Sequence, residues 1–316
     1  MNRRRFLTTT AASLMAAPIS KKLNALCPTA DRVQLGIITD EVSPDLEKAL
    51  EFCKQFDFKW VELRNVWGKY ITAFQPDEVK RAQDLLAKYS IRVSVVDTEY
   101  FKIQLPGTTS THTPKREPPD IYQKQDALLE RAIGRARDFG TDKLRIFAFW
   151  RVEDPKTVFE RVCRELEKGA EIARKEKIRL VLENEHACNV ATAVESVAAL
   201  NAVRSPGLGL TWDPGNAYAA GEHNTFPDGY AKLDKKRIWH MHVKDCDQDA
   251  TTGRYRWLPA GAGKIDYVKQ FAAMRADGYS GSISVETHFR LPEDQGGKPA
   301  ASAQAAKGLI DTFCKG

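Results

Sequence analysis

The stretch H-M-H-V-K-D, His240 to Asp245, sets two histidines two residues apart, with a lysine and an aspartate behind them. Such a pair can clip a metal, sit hydrogen-bonded in a core, or lie in a solvated turn. Three other short segments carry acids that could join it: V-L-E-N-E-H with Glu183, L-T-W-D-P-G-N with Asp213, and S-V-E-T-H with Glu286. Three carboxylates crowded into a dry pocket cannot all stay ionised without a cation. Three oxygen donors and one imidazole suit a single divalent ion such as Mn, Mg, Co or Zn. Taken singly, an acid at such a place caps a helix or closes a salt bridge as readily as it binds a metal. The question is therefore which elements could bring the four together.

Eight apolar or alternating runs read as strands: residues 33–39, 58–64, 91–97, 143–149, 178–184, 208–213, 237–243 and 282–287. Helical patterns separate them. The first, 44–56, opens on Ser43-Pro44, a serine cap followed by proline. The others are 76–89, 121–139, 155–176, 190–203, 265–276 and 301–313, with only a short helix expected in 229–234. Strand–helix alternation predicts an α/β fold, a (β/α)8 TIM barrel over residues 31–316. An open doubly wound sheet is the competing topology, but I-I-T-D-E-V-S after the first strand has no phosphate-binding glycine loop. The long connections 98–120, 214–228 and 246–264 follow strands three, six and seven. In a barrel they would crowd the C-terminal face, where active sites lie.

Alternate residues of a barrel strand point inward. In strand seven, Trp239, Met241 and Val243 are expected to face the helices, leaving His240, His242 and Lys244 inside, with His240 one layer deeper. Strand eight turns Ser282, Ser284, Glu286 and His288 inward. Strand six turns Gly209, Thr211 and Asp213 inward, and strand five Val181 and Glu183. Four successive strands thus deliver Glu183, Asp213, His242 and Glu286 to the rim as ligands of one divalent metal ion.

These segments, with P-A-G-A-G-K-I-D-Y, T-D-E-V-S-P-D and V-E-L-R, resemble the sugar isomerase/epimerase family with the xylose isomerase-like barrel. The resemblance runs over nearly all of the chain after its first residues. It implies the same four ligands and gives Glu183 and Glu286 acid/base roles in proton transfer next to a carbonyl, through an enediolate. The implied enzyme is a metal-dependent isomerase or epimerase of a sugar or keto-sugar. Candidate substrate contacts are Glu41, Glu62, Arg64, His186, Asn216, Lys244, Trp257 and His288, with Trp150 as a second apolar face for a ring. One departure matters: the ketose 3-epimerase branch has a histidine three residues after the aspartate ligand and an arginine six after the histidine ligand. Here those places hold Asn216 and Gln248. A lyase or dehydratase acting on a 3-keto-glycoside or related polyol is therefore the alternative reaction, and a non-catalytic carbohydrate-binding barrel the alternative of another class. The endonuclease branch, with three zinc ions, needs further histidines that this chain lacks.

Composition narrows the partners. The chain has 316 residues and a formal charge of +6. Its first residues, M-N-R-R-R-F-L-T-T-T-A-A-S-L-M-A-A-P-I-S, carry a basic head, then a mild apolar run too short to span a bilayer. Residues 1–30 are thus expected to be a twin-arginine-type export signal and linker, which makes the protein periplasmic or otherwise exported. Arg3, Arg4, Arg5, Lys21 and Lys22 lie there with no acid among them, which leaves +1 on the remainder. A near-neutral body gives no bulk attraction to nucleic acid and no stable membrane anchor. The composition is compatible with a homo-oligomer. Six cysteines, none in a C-x-x-C pair, are expected to be mostly buried thiols.

Overall fold

The computed structural model describes residues 33–111 and 117–316. The expected signal segment, Cys27 and residues 112–116 of the third loop lie outside the described residues. Eight parallel strands close into one barrel: β1 (Gln34–Ile38), β2 (Trp60–Leu63), β3 (Arg92–Asp97), β4 (Lys143–Ile146), β5 (Arg179–Glu183), β6 (Leu208–Trp212), β7 (Ile238–Val243) and β8 (Ser282–Val285). Neighbours in sequence are neighbours in the sheet. The ring closes where β1 meets β8, with Gln34 opposite Ser282 and Gly36 opposite Ser284. Each strand falls inside its expected range, and closure excludes the open sheet.

The outer layer holds α1 (Leu46–Gln55), α2 (Pro76–Tyr89), α3 (Gln125–Asp138), α4 (Phe159–Lys175), α5 (Ala193–Ala202), α6 (Pro214–Ala219), α7 (Tyr267–Ala276) and α8 (Pro299–Lys315). Several starts differ from expectation because side chains other than those anticipated satisfy the first N–H groups. Asp45, not Ser43, caps α1, accepting from the N–H groups of Glu47 and Lys48 at 2.9 and 3.3 Å. Thr192 and Glu195 form a capping box that starts α5 at Ala193 rather than Val190. After β6 the expected short helix is a single turn, Tyr230–Lys232, and α6 precedes it directly at the strand end. There Asp213 caps Pro214–Ala219 by accepting from Asn216 N at 2.8 Å.

Residues such as Ile37, Val61, Leu144, Leu182, Met241 and Val285 face outward into a buried apolar layer beneath the helices. Each such side chain contributes about 1.5–3 kcal/mol on leaving water. That layer is what fixes the strand parity that aims polar groups inward. Parity breaks at one place. Between Leu210 opposite Ile238 and Thr211 opposite His240 the β6–β7 register shifts. Trp239, expected against the helices, instead covers Gly209, where a Cβ would lie 2.3 Å from its ring. The Arg179 guanidinium stands 5.1 Å from the Trp239 ring centroid at the floor of the barrel. From His240 onward the expected alternation resumes. Cys53, Cys163, Cys188 and Cys246 are buried free thiols. Among the described residues no helix is long and apolar enough to cross a membrane.

Candidate metal centre

The C-terminal ends of β5 to β8 bring Glu183, Asp213, His242 and Glu286 together. One ligand atom from each lies within 4.8 Å of the other three. All four side chains are buried. His242 Nδ1 is the common reference: Glu183 Oε1 lies 3.3 Å from it, Glu286 Oε2 3.5 Å and Asp213 Oδ2 3.7 Å.

Each carboxylate commits its other oxygen outward. Glu183 Oε2 accepts from Arg145 Nη1 at 2.6 Å. Glu286 Oε1 accepts from Arg64 Nη1 at 3.2 Å, and His288 Nε2 lies 2.8 Å from the same oxygen. Asp213 Oδ1 caps α6. The imidazole is divided likewise: His242 Nε2 donates to Glu62 Oε1 at 3.0 Å, which turns Nδ1 toward the three inner oxygens. Glu62 also accepts from His240 Nε2 at 2.8 Å, and His240 Nδ1 meets Ser282 Oγ at 2.6 Å. His240 is thus a hydrogen-bonded interior residue one layer down.

This donor set fits a divalent ion. Three carboxylate oxygens and one imidazole nitrogen converge from four strands, each held from behind by a second group. Asp213 Oδ2 is buried and receives no well-directed hydrogen bond, although Lys244 Nζ lies 2.8 Å away as an ionic neighbour. Two smaller acid–histidine groups lie nearby. Glu62, His240 and His242 have both Nε2 atoms engaged with Glu62; in the Glu41, Glu286 and His288 group, Arg64 bonds both carboxylates and Lys298 bonds Glu41.

The charges follow from these contacts. Burial favours the neutral form of Glu183, but Arg145 and His242 outweigh it and hold the carboxyl at about 2. Burial likewise opposes ionisation of Glu286, and His288 and Lys244 overcome it, keeping that group well below the usual range. Asp213 goes the other way: burial and the two glutamates raise it in spite of Lys244. For His242, burial disfavours the charged ring, yet Glu62 and Glu183 raise its pKa well above the ordinary histidine value.

The expected substrate residues separate into two groups. Glu62 is fully buried beneath His242 and orients it, so it is not placed to touch a ligand. Asn216 is also fully buried, donating from Nδ2 to Glu183 Oε1 at 3.0 Å, with its Oδ1 3.0 Å from His186 Nδ1. Arg64 bonds Asp40, Glu41 and Glu286 and stays partly exposed. Glu41 is buried beside it and accepts from Lys298. Lys244 lies among the donors, paired with Asp213 and Glu286. His186 and His288 are half-buried at the mouth. Trp257 lies between them on a hairpin of Asp245–Gln248 and Tyr255–Leu258, its ring 5.9 and 5.3 Å from theirs. Trp150 is buried, donating from Nε1 to Glu117 at 2.7 Å, and packs with Phe147 and Cys188.

Asp245 explains the hairpin and the glycines beyond it. Its carboxylate accepts from the backbone N–H groups of Cys246, Gly261, Gly263 and Ile265. A Cβ at Gly263 would meet Asp245 Oδ1 at 2.3 Å, so only glycine lets the loop close on it.

The sequence reading missed Asp97 and Arg145. Arg145 Nη2 donates to Asp97 Oδ2 at 2.6 Å, completing a buried chain Asp97–Arg145–Glu183. Arg145 shares inward parity with the β4 interior and could have been found by the rule used for β5 to β8. The pair Lys102 and Glu185, 3.2 Å apart at the mouth, was missed too, since both sit in loops where parity says nothing.

A family model described as xylose isomerase-like TIM barrel matches residues 50–311. No curated protein matches the sequence. Among solved structures, an IolI protein with a bound zinc atom superposes with a TM-score of 0.70 at 17% identity, over 89% of this chain and 98% of that one. The D-allulose 3-epimerase of Methylomonas sp. in complex with D-allulose gives 0.64 at 20% identity, over 88% and 95%. The 3-keto-D-glucoside 4-epimerase of E. coli gives 0.64 at 15%, over 89% and 99%. At such identities these likenesses are likenesses of fold.

Proposed function

The chain belongs to the xylose isomerase-like TIM barrel family, and we propose that it is a divalent-metal-dependent enzyme moving a proton on carbon next to the carbonyl of a sugar or keto-sugar. The convergence of Glu183, Asp213, His242 and Glu286 carries this reading. The zinc in the similar IolI structure and the sugar chemistry of the similar epimerases support it. The bound ion would supply Lewis-acid polarisation of a carbonyl and the hydroxyl beside it.

The remaining work falls to the chain. Glu183 and Glu286 enter from β5 and β8, ionised at neutral pH and so ready to accept a proton. Carboxylates held that low are weak bases. The substrate C–H must therefore be acidified by its neighbouring carbonyl, whose polarisation the bound ion would supply. Asn216 holds Glu183 Oε1 through its amide and cannot itself carry a proton. Trp257 offers a sugar ring an apolar wall over Lys244, whose ammonium is 5.4 Å from its ring centroid.

One observation favours the elimination variant. Burial works against a charged His186, but Glu185 and Asn216 raise its pKa. An imidazole at the mouth, its Nδ1 2.7 Å from Glu185 Oε1, is a suitable acid for a leaving oxygen of a 3-keto-glycoside. Export through a twin-arginine signal in residues 1–30 would make the substrate an unphosphorylated sugar met outside the cytoplasm; fractionation of cells with and without Arg3→Lys/Arg4→Lys tests this.

The reaction is tested by incubating Mn-loaded protein with keto-sugars and 3-keto-glycosides in deuterated water. Deuterium at one carbon of a recovered sugar identifies isomerisation or epimerisation, and release of the aglycone identifies elimination. If every candidate returns without exchange or cleavage, enolisation chemistry is excluded for them and a carbohydrate-binding role takes its place.

A further inference from the structure

We propose that Lys244 is a built-in competitor of the metal ion, an internal cation that takes the inner oxygens of Asp213 and Glu286 and must yield them when a divalent ion binds. This rests on the reading of the four residues as a metal centre. Three observations carry it. Lys244 Nζ lies 2.8 Å from Asp213 Oδ2 and bonds Glu286 Oε2. These are two of the three inward oxygens; their counterparts face Asn216 and Arg64. A dication brought to the same two oxygens is repelled by the ammonium already in contact with them.

The lysine is anchored by its main chain, not by its charged end. Tyr267 Oη donates to the Lys244 carbonyl at 2.8 Å. Gly215 at the start of α6 presses on the stem so closely that a Cβ would lie 2.8 Å from Lys244 Cγ and 2.5 Å from the Lys244 carbonyl oxygen. The ammonium itself has a second environment within reach, the face of Trp257, 5.4 Å away. A tethered stem with an end free to choose between carboxylates and an aromatic face suits exchange with an ion.

The arrangement has two consequences. It neutralises buried acids that would otherwise repel one another, so the centre folds without needing metal first. It also lowers metal affinity, because the ion must displace a resident positive charge. Once displaced, the ammonium faces the mouth beside Trp257, where a substrate oxygen would meet it.

The test compares wild type with Lys244→Met and Lys244→Gln, measuring Zn²⁺ and Mn²⁺ dissociation constants by chelator competition and the melting temperature with and without metal. Competition predicts that both variants bind metal about tenfold tighter or more, melt lower without metal, and gain more on adding it. If Lys244→Met does not fold, Lys244→Gln, which keeps a donor for Asp213, decides the matter. Equal or weaker metal binding by the variants overturns the competition while leaving the metal centre standing. Absence of binding in wild type and both variants overturns the metal centre and the competition together. Binding by the variants with none by wild type supports both.

Discussion

The two halves of the barrel interior do different work. Strands β5 to β8 supply the groups that converge: Glu183, Asp213, His242 and Glu286. Strands β2 to β4 supply the groups that hold them: Glu62 behind His242, Arg64 behind Glu286, and Asp97 with Arg145 behind Glu183. The first half is rich in carboxylate and the second brings two arginines to it. The lesson concerns oxygens more than residues. Each acid is split, one oxygen turned to the centre and one tied to the scaffold. The sites most sensitive to mutation should therefore lie in both halves, and fail differently.

Breaking the converging half should have the largest effect. Glu286→Gln removes an inner ligand oxygen and a proton acceptor, and turnover should fall by ~10²–10⁴-fold with the fold intact by circular dichroism. Breaking the holding half at Arg145 should act on stability first. Arg145→Leu leaves Asp97 and Glu183 buried without their cation, and denaturant unfolding should show a loss of about 3–5 kcal/mol. Glu62→Gln keeps the shape but weakens the partner that aims the ring; metal affinity by competition titration should drop about 10–100-fold with a smaller change in stability.

The mildest probe is pH. The pKa of His242 is raised because Glu62 and Glu183 outweigh the effect of burial. Its pairing therefore contributes stability fully present below the unfolded value near ~6.5, lost as pH rises through the raised folded value. A metal must take Nδ1 as a neutral donor, so ion binding releases that proton. Affinity should accordingly rise about tenfold per pH unit below the raised pKa and flatten once it is passed. In Glu62→Gln the flattening should come at lower pH; an unchanged profile would count against Glu62 as the cause.

The contrast between the halves also explains what could be read in advance. Eight strand ranges and the inward aim of four donors follow from apolar alternation, because the helix-facing layer forces it. Trp239 escaped because the register shift beside Gly209 is settled by how β6 meets β7, which no single strand records. Asp97 escaped for the same reason. Between β2 and β3 the register shifts, so that Val61 pairs with Val93 but Glu62 with Val95. Simple alternation from Val93 would turn Asp97 outward; the bulge brings it in to Arg145. Arg145 needed only the parity rule applied to β4. The division of Glu62, Asn216 and Lys244 into holding or donor-contacting roles, rather than rim contacts, depends on depth along the barrel axis, which strand pattern does not give.

The central claim is that one divalent ion sits among four named atoms. Anomalous diffraction from crystals soaked in Mn²⁺ tests it most directly. The account predicts one strong peak bonded to Glu183 Oε1, Asp213 Oδ2, His242 Nδ1 and Glu286 Oε2, with Lys244 Nζ moved off the two oxygens it now shares. A peak at the Glu41–Glu286–His288 group instead, or none at saturating metal, would contradict it.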